Sequence, residues 1–373
     1  MRSEYSLLIS TFNCGKCLPL TEPSQLEKIA SILVSPDFVH DIYVLGFQEL
    51  VAIWQGSFPD IVETQLLTLS YAILKRINAL DVSREFKLVA LNSVGAIGLL
   101  VYVDTKFITT NILKASARCG LLFSSLKGAT AVKLTLQAPD SENFSSFVFV
   151  TAHLAANEGE EHLLRRENDY HAVTNALEQE LGPFAANHVF ICGDLNFRSG
   201  RWATGETDFS NTDYLREAVR QHDELSTSKG SGRIFKNFQE APISFAPTYK
   251  FQLTTPKESY NPSRIPSWCD RVLFQNGPVK PKILSYTSCK RSSALQFTDH
   301  LPVVLQVIVP YADFDSSVSS LIVKQASTQG SRTIGRLVDL IIGYSGRATD
   351  LYGTQLVVAG ILLALWVIYL TCT

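Results

Sequence analysis

HVFICGDLNFR, residues 188–198, is a short apolar run closed by polar groups at fixed spacing. Val189 to Cys192 are too few and too β-branched for a helix, and they read as a buried strand. Gly193 ends the run, Asp194 and Asn196 follow at the strand mouth, and Arg198 stands just beyond. In α/β architectures the carboxyl ends of strands are where ligands and catalytic groups collect. A carboxylate and an amide two apart at such an edge can take a proton from a water and orient it. The same spacing also closes a strand with an Asx-type turn. The stretch alone does not choose between the two.

The pattern recurs on both sides. Tyr5 to Ser10 forms a first strand running into TFNCGK, with Asn13 at its end. DIYVLGFQEL repeats the theme: apolar Ile42 to Leu45, then Gly46, Gln48 and Glu49, a carboxylate suited to a hard cation. Further strands are expected at Lys87 to Asn92 and Gly98 to Asp104. SLKGATAVKLTL places Lys127 and Gly128 in a turn before another, and SSFVFVTAHLA ends a strand at His153. Asp270 precedes the run Val272 to Phe274, and Asp299 and His300 precede Val303 to Val309. Taken singly, Asn13 is a turn former, His153 a core histidine, and Asp299 with His300 a polar cap. Their repetition at strand boundaries argues for one shared mouth.

Between the strands, Ser24 to Leu33 reads as a helix with Ser24 as N-cap and Glu27 three residues on. Glu160 to Leu181 reads as a long helix carrying Arg165 and Arg166 near Asn168 and Tyr170. Ser199 to Asp223 is mostly polar. FAPTYK then delivers Tyr249 and Lys250 together, and SRIPSWCDR crowds Arg264, Trp268, Asp270 and Arg271 into one short stretch. No repeat or low-complexity tract interrupts residues 1–311, which read as one domain.

The chain has 373 residues, a formal net charge of −2 and seven scattered cysteines. It lacks the global basic field of a sequence-independent nucleic-acid binder. The cysteines suggest no disulfide framework, and the lone Cys14/Cys17 pair has no partners at zinc spacing. Reduced thiols and a cytosolic fold follow. The apolar run Leu7 to Ile9 is too short for a signal peptide.

Nine runs together resemble the inositol polyphosphate 5-phosphatase family: TFNCGK, GFQE, LKGA, HLAA, RRENDY, GDLNFR, FAPTYK, IPSWCDR and TDHLPV, in the family's order over about residues 5–310. Phe12 stands where the family usually has Trp, Leu126 where an Asn is common, and Asn157 where His is frequent. The resemblance implies a four-layer αββα sandwich of the DNase I-like, endonuclease-exonuclease-phosphatase type, two sheets face to face with helices outside. It implies Mg²⁺ held by Glu49 and Asn13, with Asp299 holding an outer-shell water. It assigns Asp194 to activating the attacking water and Asn196 to orienting it. His300, its tautomer fixed by Asp270, and His153 would contact the phosphate. Tyr249, Lys250 and Arg264 would grip the neighbouring 4-phosphate, and Lys127 is assigned to substrate binding.

After Tyr311 the composition changes. Asp313 to Ser331, rich in Ser, Gln and Asp, is expected to be a flexible linker. Ile334, Leu337, Val338 and Ile341 fall on one helical face, with Arg336 and Asp339 elsewhere. Such a stripe fits two placements, on a membrane or docked back on the domain. Leu356 to Thr373 carries no charge, and its core to Leu370 would span about 22 Å as a helix, the full run about 27 Å. That length suits the thin endoplasmic reticulum bilayer. The organisation expected is a catalytic domain at 1–311, a linker with a juxtamembrane helix at 312–353, and a transmembrane tail anchor at 354–373. The catalytic domain is left in the cytosol, as in the fungal tail-anchored, single-domain branch of the family. A tether raises the effective concentration of a lipid headgroup, which points to phosphatidylinositol 4,5-bisphosphate. No protein partner is legible. Two rivals stand beside this reading: a same-fold phosphodiesterase (nuclease or sphingomyelinase), and an inert membrane-tethered lipid-binding or contact-site module.

Overall fold

The computed structural model describes residues 4–139, 144–184, 188–204, 207–275, 280–311 and 329–372. Twelve strands and six helices follow in order. The first half holds β1 (Glu4–Asn13), α1 (Pro23–Leu33), β2 (Ile42–Gln48), α2 (Pro59–Asn78), β3 (Phe86–Val94), β4 (Ile97–Asp104), β5 (Ile108–Arg118), β6 (Gly128–Gln137) and β7 (Phe144–His153). The second holds α3 (Glu160–Leu181), β8 (His188–Asp194), α4 (Thr212–His222), α5 (Glu224–Gly230), β9 (Phe238–Glu240), β10 (Asp270–Gln275), β11 (Lys282–Ser288), β12 (Val303–Pro310) and α6 (Gln329–Cys372).

The strands form two six-stranded sheets, ordered β11-β12-β1-β2-β4-β3 and β5-β6-β7-β8-β10-β9. In each, every pairing is antiparallel except the central one, β1 with β2 and β7 with β8. Successive strand residues face opposite sides, so the alternation in sequence sorts them between cores. Tyr5, Leu7 and Ile9 of β1 and Phe190 and Cys192 of β8 meet between the sheets. Leu8 and Phe12 of β1 pack outward with Leu26 and Ile29 of α1 and Leu66 and Ile73 of α2. Val189 and Ile191 of β8 pack outward with Val173 and Leu177 of α3. Three apolar cores stacked in this way make four layers, the architecture expected.

Several boundaries differ from expectation. Gly46 and Gly193 do not end their strands; β2 runs to Gln48 and β8 to Asp194. Gly46 instead lets the sheets approach, because a Cβ there would stand 2.4 Å from Thr151 Oγ1. Helix α1 starts at Pro23, with Glu22 rather than Ser24 at the N-cap and no side-chain cap. The proline's fixed φ starts the helix in place of a capping hydroxyl. The polar segment 199–223 contains α4, whose N-cap Asn211 accepts from the Tyr214 N–H.

The linker expected at Asp313 to Ser331 is mostly outside the described residues, and its last three residues, Gln329 to Ser331, already belong to α6. Helix α6 breaks at Gly353, whose φ is 75°. Among the described residues no helix is long and apolar enough to cross a membrane. Most side chains of the expected anchor, 354–373, fall outside the described residues. Before the break, α6 docks on the domain, but through Gly335, Asp339 and Gly343, leaving Ile334, Leu337 and Ile341 exposed. Small residues let the helix axis approach closely, so the apolar stripe faces away from the body.

Candidate active site

Topology brings the polar strand ends together. Because β1 and β2 run parallel, Asn13 stands opposite Gln48, and Glu49 follows directly. Because β7 and β8 run parallel, His153 stands opposite Asp194. The antiparallel neighbours start where these end: Asp270 opens β10 opposite Asp194, and Gly128, next to Lys127, opens β6 opposite His153. On the other sheet Val303 opens β12 opposite Thr11, which sets Asp299 and His300 just before it at the same end. Asn13 Nδ2 donates to Asp194 Oδ2 at 2.8 Å, joining the two sheets across the mouth.

Asp194 sits at the centre. Its Oδ1 accepts from the Asn196 N–H at 3.1 Å, the Asx-type turn that closes the strand. Its Oδ2 faces Asn13, His153 Nε2 at 3.3 Å and His300 Nε2 at 3.8 Å. The structural and the chemical readings therefore both hold, one for each oxygen. Burial alone would push the carboxyl up, but the His300 charge, a hydrogen bond from His153 and the Lys127 charge outweigh it and hold Asp194 well below the usual carboxylate range.

His300 Nδ1 lies 2.9 Å from Asp270 Oδ2, which also accepts from Thr248 Oγ1 at 2.7 Å. Burial opposes the imidazolium, yet Asp270 and Asp194 raise His300 from 6.5 to about 10, so the proton of the pair sits on His300. His153 differs: burial and the neighbouring Lys127 ammonium both lower it, leaving a neutral imidazole. Lys127 Nζ contacts His153 Nε2. Burial lowers Lys127, partly offset by Asp194 and Glu49.

Glu49, Lys127 and His153 line one hollow of about 220 Å³, with Lys16 Nζ 3.3 Å from Glu49. Glu49 and Asn196 both hold positive φ, 48° and 59°, an uncommon conformation that clusters at functional sites. Asn196 is engaged at both ends of its amide, Nδ2 donating to Leu154 O at 3.1 Å and Oδ1 accepting from Arg198 Nη2 at 2.5 Å. The Tyr249 ring packs tilted against the His300 ring, centroids 4.7 Å apart, and Lys250 Nζ reaches Asp299 Oδ2 at 3.6 Å. Arg264 is exposed, and its guanidinium has no partner among the described residues.

Sequence reasoning assigned no role to three residues that the geometry puts to use. Arg198 is buried, packs 4.5 Å over Tyr249, and keeps Nη1 without a partner among the described residues. Thr298 Oγ1 donates to Asn13 O and accepts from the His300 N–H, coupling two strand ends. Arg166 of RRENDY is fully buried, bonding Glu224 at 2.6 Å and Asn157 O at 2.7 Å, which fixes the loop after His153. The contacts of Arg198 with Tyr249, Thr298 with Asn13 and Arg166 with Glu224 span long sequence distances, which no local pattern announces.

Among the described residues one group of acidic and imidazole side chains, Asp194, Asp270 and His300, is close enough to share an ion. Asp270 fills the His300 Nδ1 position and holds the ring cationic, so this trio serves better as a proton-holding relay. An oxygen-only set, the Glu49 carboxylate with the Asn13 amide oxygen, has the chemistry magnesium requires. The cysteines Cys14, Cys17, Cys119, Cys192, Cys269 and Cys289 are free.

Comparison with known proteins gives the geometry a context. A human phosphatidylinositol 3,4,5-trisphosphate 5-phosphatase 1 is 30% identical over 353 residues, covering 86% of this chain and 26% of that protein. Rat synaptojanin-1 is 29% identical over 254 residues, 63% of this chain and 14% of the relative. The chain thus spans about a quarter or less of these relatives. Among solved structures, an inositol polyphosphate 5-phosphatase domain of a synaptojanin, in complex with inositol 1,4-bisphosphate and calcium, superposes with a TM-score of 0.67 at 21% identity, covering 93% of each chain. A Cimex nitrophorin in its ferrous NO complex superposes at 0.60, also at 21% identity, covering 83% of this chain and 100% of that one. A fold shared by two such different proteins does not decide the chemistry; the residues at the mouth do. The motif resemblance to the inositol polyphosphate 5-phosphatases is borne out by these relatives, and with its model matched over residues 10–306 the chain belongs to the endonuclease/exonuclease/phosphatase family 2.

Proposed function

We propose that this protein is a Mg²⁺-dependent phosphoinositide 5-phosphatase that hydrolyses the 5-phosphate of phosphatidylinositol 4,5-bisphosphate to give phosphatidylinositol 4-phosphate. The observation that supports it most is the convergence of Asn13, His153, Asp194, Asp270 and His300 at one end of the sandwich, with Glu49 and Lys127 beside them. Phosphate monoesters hydrolyse very slowly unaided, and the loose transition state leaves charge on oxygens. A Mg²⁺ held by Glu49 and Asn13, with Asp299 on an outer-shell water, would supply neutralising charge to those oxygens and to the leaving inositol oxygen.

This chain's own groups carry the remaining work. His300, cationic through neutral pH, and Lys127 offer charge to the scissile phosphate, and neutral His153 offers a hydrogen bond. Asp194 takes the proton of the attacking water, while Arg198 and Leu154 hold the Asn196 amide that orients it. The cations that depress Asp194 in the free protein are the ones a phosphate dianion would pair with. Substrate binding therefore relieves that depression and makes the carboxylate a better proton acceptor. Tyr249, Lys250 and Arg264 are the reading's grip on the 4-phosphate: a bidentate-capable guanidinium, an ammonium and a phenol distinguish a dianion from a hydroxyl.

The uncharged run 356–373 supports a tail anchor in the endoplasmic reticulum membrane, with the catalytic domain in the cytosol. The test is phosphate release by the full-length chain in mixed vesicles. Phosphatidylinositol 4,5-bisphosphate, the 3,4,5-trisphosphorylated lipid, soluble inositol phosphates, sphingomyelin and DNA are offered with Mg²⁺ or with chelator. Mg²⁺-dependent release fastest on the 4,5-bisphosphate is expected. Cleavage of sphingomyelin or DNA, or no turnover of any substrate, overturns the reading.

A further inference from the structure

Helix α6 lies beyond the family-matched stretch 10–306, yet it reaches the loop that carries Lys127 into the site. That loop is closed on itself: the Cys119 N–H donates to Lys127 O at 2.9 Å and the Gly120 N–H to Ser124 O at 3.1 Å. Leu122 and Phe123 within it hold positive φ, 50° and 63°, a conformation the surroundings must impose. Asp339 of α6 is buried and pins the far side of the loop. Its Oδ1 accepts from the Ser125 N–H at 2.8 Å, and its Oδ2 lies 2.9 Å from Arg118 Nη1, at the end of β5. Gly335, one turn earlier, presses the helix onto the Phe123 carbonyl so closely that a Cβ would stand 2.0 Å from the oxygen. A cavity of about 730 Å³ opens alongside, lined among others by Ser93, Arg118, Arg336 and Asp339. The helix therefore bears on the loop at these few points.

We propose that Asp339 is a positioning residue for catalysis: from helix α6 it fixes the Cys119–Lys127 loop, and through it the place of the Lys127 ammonium against His153 and Asp194. The inference rests on the phosphatase reading for Lys127's role. It makes the segment after the sandwich a support for the site as well as a connection to the tail.

The test uses the full-length chain in detergent, with inositol 1,4,5-trisphosphate as the soluble probe and Mg²⁺ present. Asp339→Ala is expected to lower kcat/KM by about tenfold or more, the scale of a misplaced group. In a Lys127→Ala background it should add nothing, because the residue being positioned is gone. Asp339→Asn keeps an oxygen for the Ser125 N–H and should recover most of the rate. Gly335→Ala, which displaces the loop by collision with Phe123 O, should reproduce the loss. Arg332→Gln breaks the exposed contact of α6 with Glu180 at 3.1 Å and should leave the rate unchanged. Hydrogen exchange at residues 119–127 should accelerate in Asp339→Ala while β6 stays protected. Multiplicative effects of the two alanine changes, an unaltered rate in Asp339→Ala, or an equal loss in Arg332→Gln overturns the proposal. If the unmodified chain releases no phosphate, the functional reading falls by itself. The exchange measurement then decides whether Asp339 fixes the loop, with unchanged exchange overturning it.

Discussion

One oxygen of Asp194 accepts from the Asn196 amide and closes the turn after β8, while the other faces His153, His300 and Asn13. Asp194→Asn keeps an acceptor for the turn and loses the proton acceptor for water. Turnover should fall at least about a hundredfold, the scale of general-base catalysis, while calorimetry shows the soluble headgroup still binding. Near-normal turnover would remove Asp194 from the mechanism. His300 depends on Asp270 in a way that pH can read. Its charged form is favoured in the fold up to about pH 10. By linkage the stability this contributes is complete below about pH 6.5 and is lost as pH climbs towards 10. Asp270→Asn removes the carboxylate that holds the proton, so the His300 pKa falls. The alkaline limb of kcat/KM should then move towards neutrality, and a profile superposing on the unmodified one would refute the pairing's role. Lys250, whose ammonium reaches Asp299, is proposed to serve specificity rather than turnover. Lys250→Ala should narrow the rate ratio between 4-phosphorylated and 4-hydroxyl substrates; an unchanged ratio would free Lys250 from the 4-phosphate.

At the scale of elements, the strand pairings decide where the chemistry sits. Two central parallel pairs deliver four strand ends to one mouth, and the antiparallel partners of those strands begin there. That much was legible, because a buried β-run followed by a polar residue is visible in sequence whichever strand it pairs with. Helix α3 matched its expected span, Glu160 to Leu181, since glycines stand on both sides of it. Other elements carried weaker signals. Helix α2 has Val62, Leu66, Leu69, Ile73 and Ile77 at helical spacing, which the strand-end argument does not reach. Strand β5 is mostly exposed and so lacks alternation, and β9 has only three residues. Arg198 and Thr298 escaped because their partners are distant in sequence. The glycine of GFQE shows how an element sets the site: at Gly46 the two sheets come within a side chain's width, just below the mouth. Gly46→Ala would press on Thr151 and Cys192, at the overpacking cost of about 1–3 kcal/mol. Denaturant unfolding should show that loss, together with a lower kcat as the Asn13–Asp194 contact across the sheets is strained. Unchanged stability would mean the sheets can part there freely.

Across the whole molecule, the apolar surface is not spread evenly. Leu121, Leu122 and Phe123 are exposed on the loop that leads to Lys127, and Ile53 is exposed at the rim of the Glu49 hollow. Helix α6, docked there because Gly335 abuts Phe123, Gly343 abuts Phe58 and Gly346 abuts Trp54, adds Leu337 and Ile341 on its outer face and Tyr344 nearby. Scattered exposed leucines need no explanation, but this many large apolar side chains exposed on one loop and on the helix docked against it do. The uncharged run 356–373, beyond the Gly353 break in α6, is the segment proposed above as the membrane anchor. A helix docked through small residues, with its apolar stripe outward, holds the domain by one side and would leave the other free to lie on lipid under the proposed anchoring. If the proposed anchor holds the chain on a bilayer, a phosphoinositide headgroup would meet the mouth without leaving its membrane, and the net charge of −2 would leave orientation to apolar contact rather than to a long-range field. The double change Leu337→Glu with Ile341→Glu places two carboxylates on this stripe and touches no group at the mouth. On the full-length chain reconstituted in vesicles, hydrolysis of phosphatidylinositol 4,5-bisphosphate should fall about tenfold or more, given the cost of pressing charge into the interface. Release from soluble inositol 1,4,5-trisphosphate by the same preparation should be unchanged, since the chemistry is untouched. Equal rates on vesicles would mean the domain works clear of the bilayer, held only by its tail; an equal loss on both substrates would mean that the stripe supports the fold and not the approach to lipid.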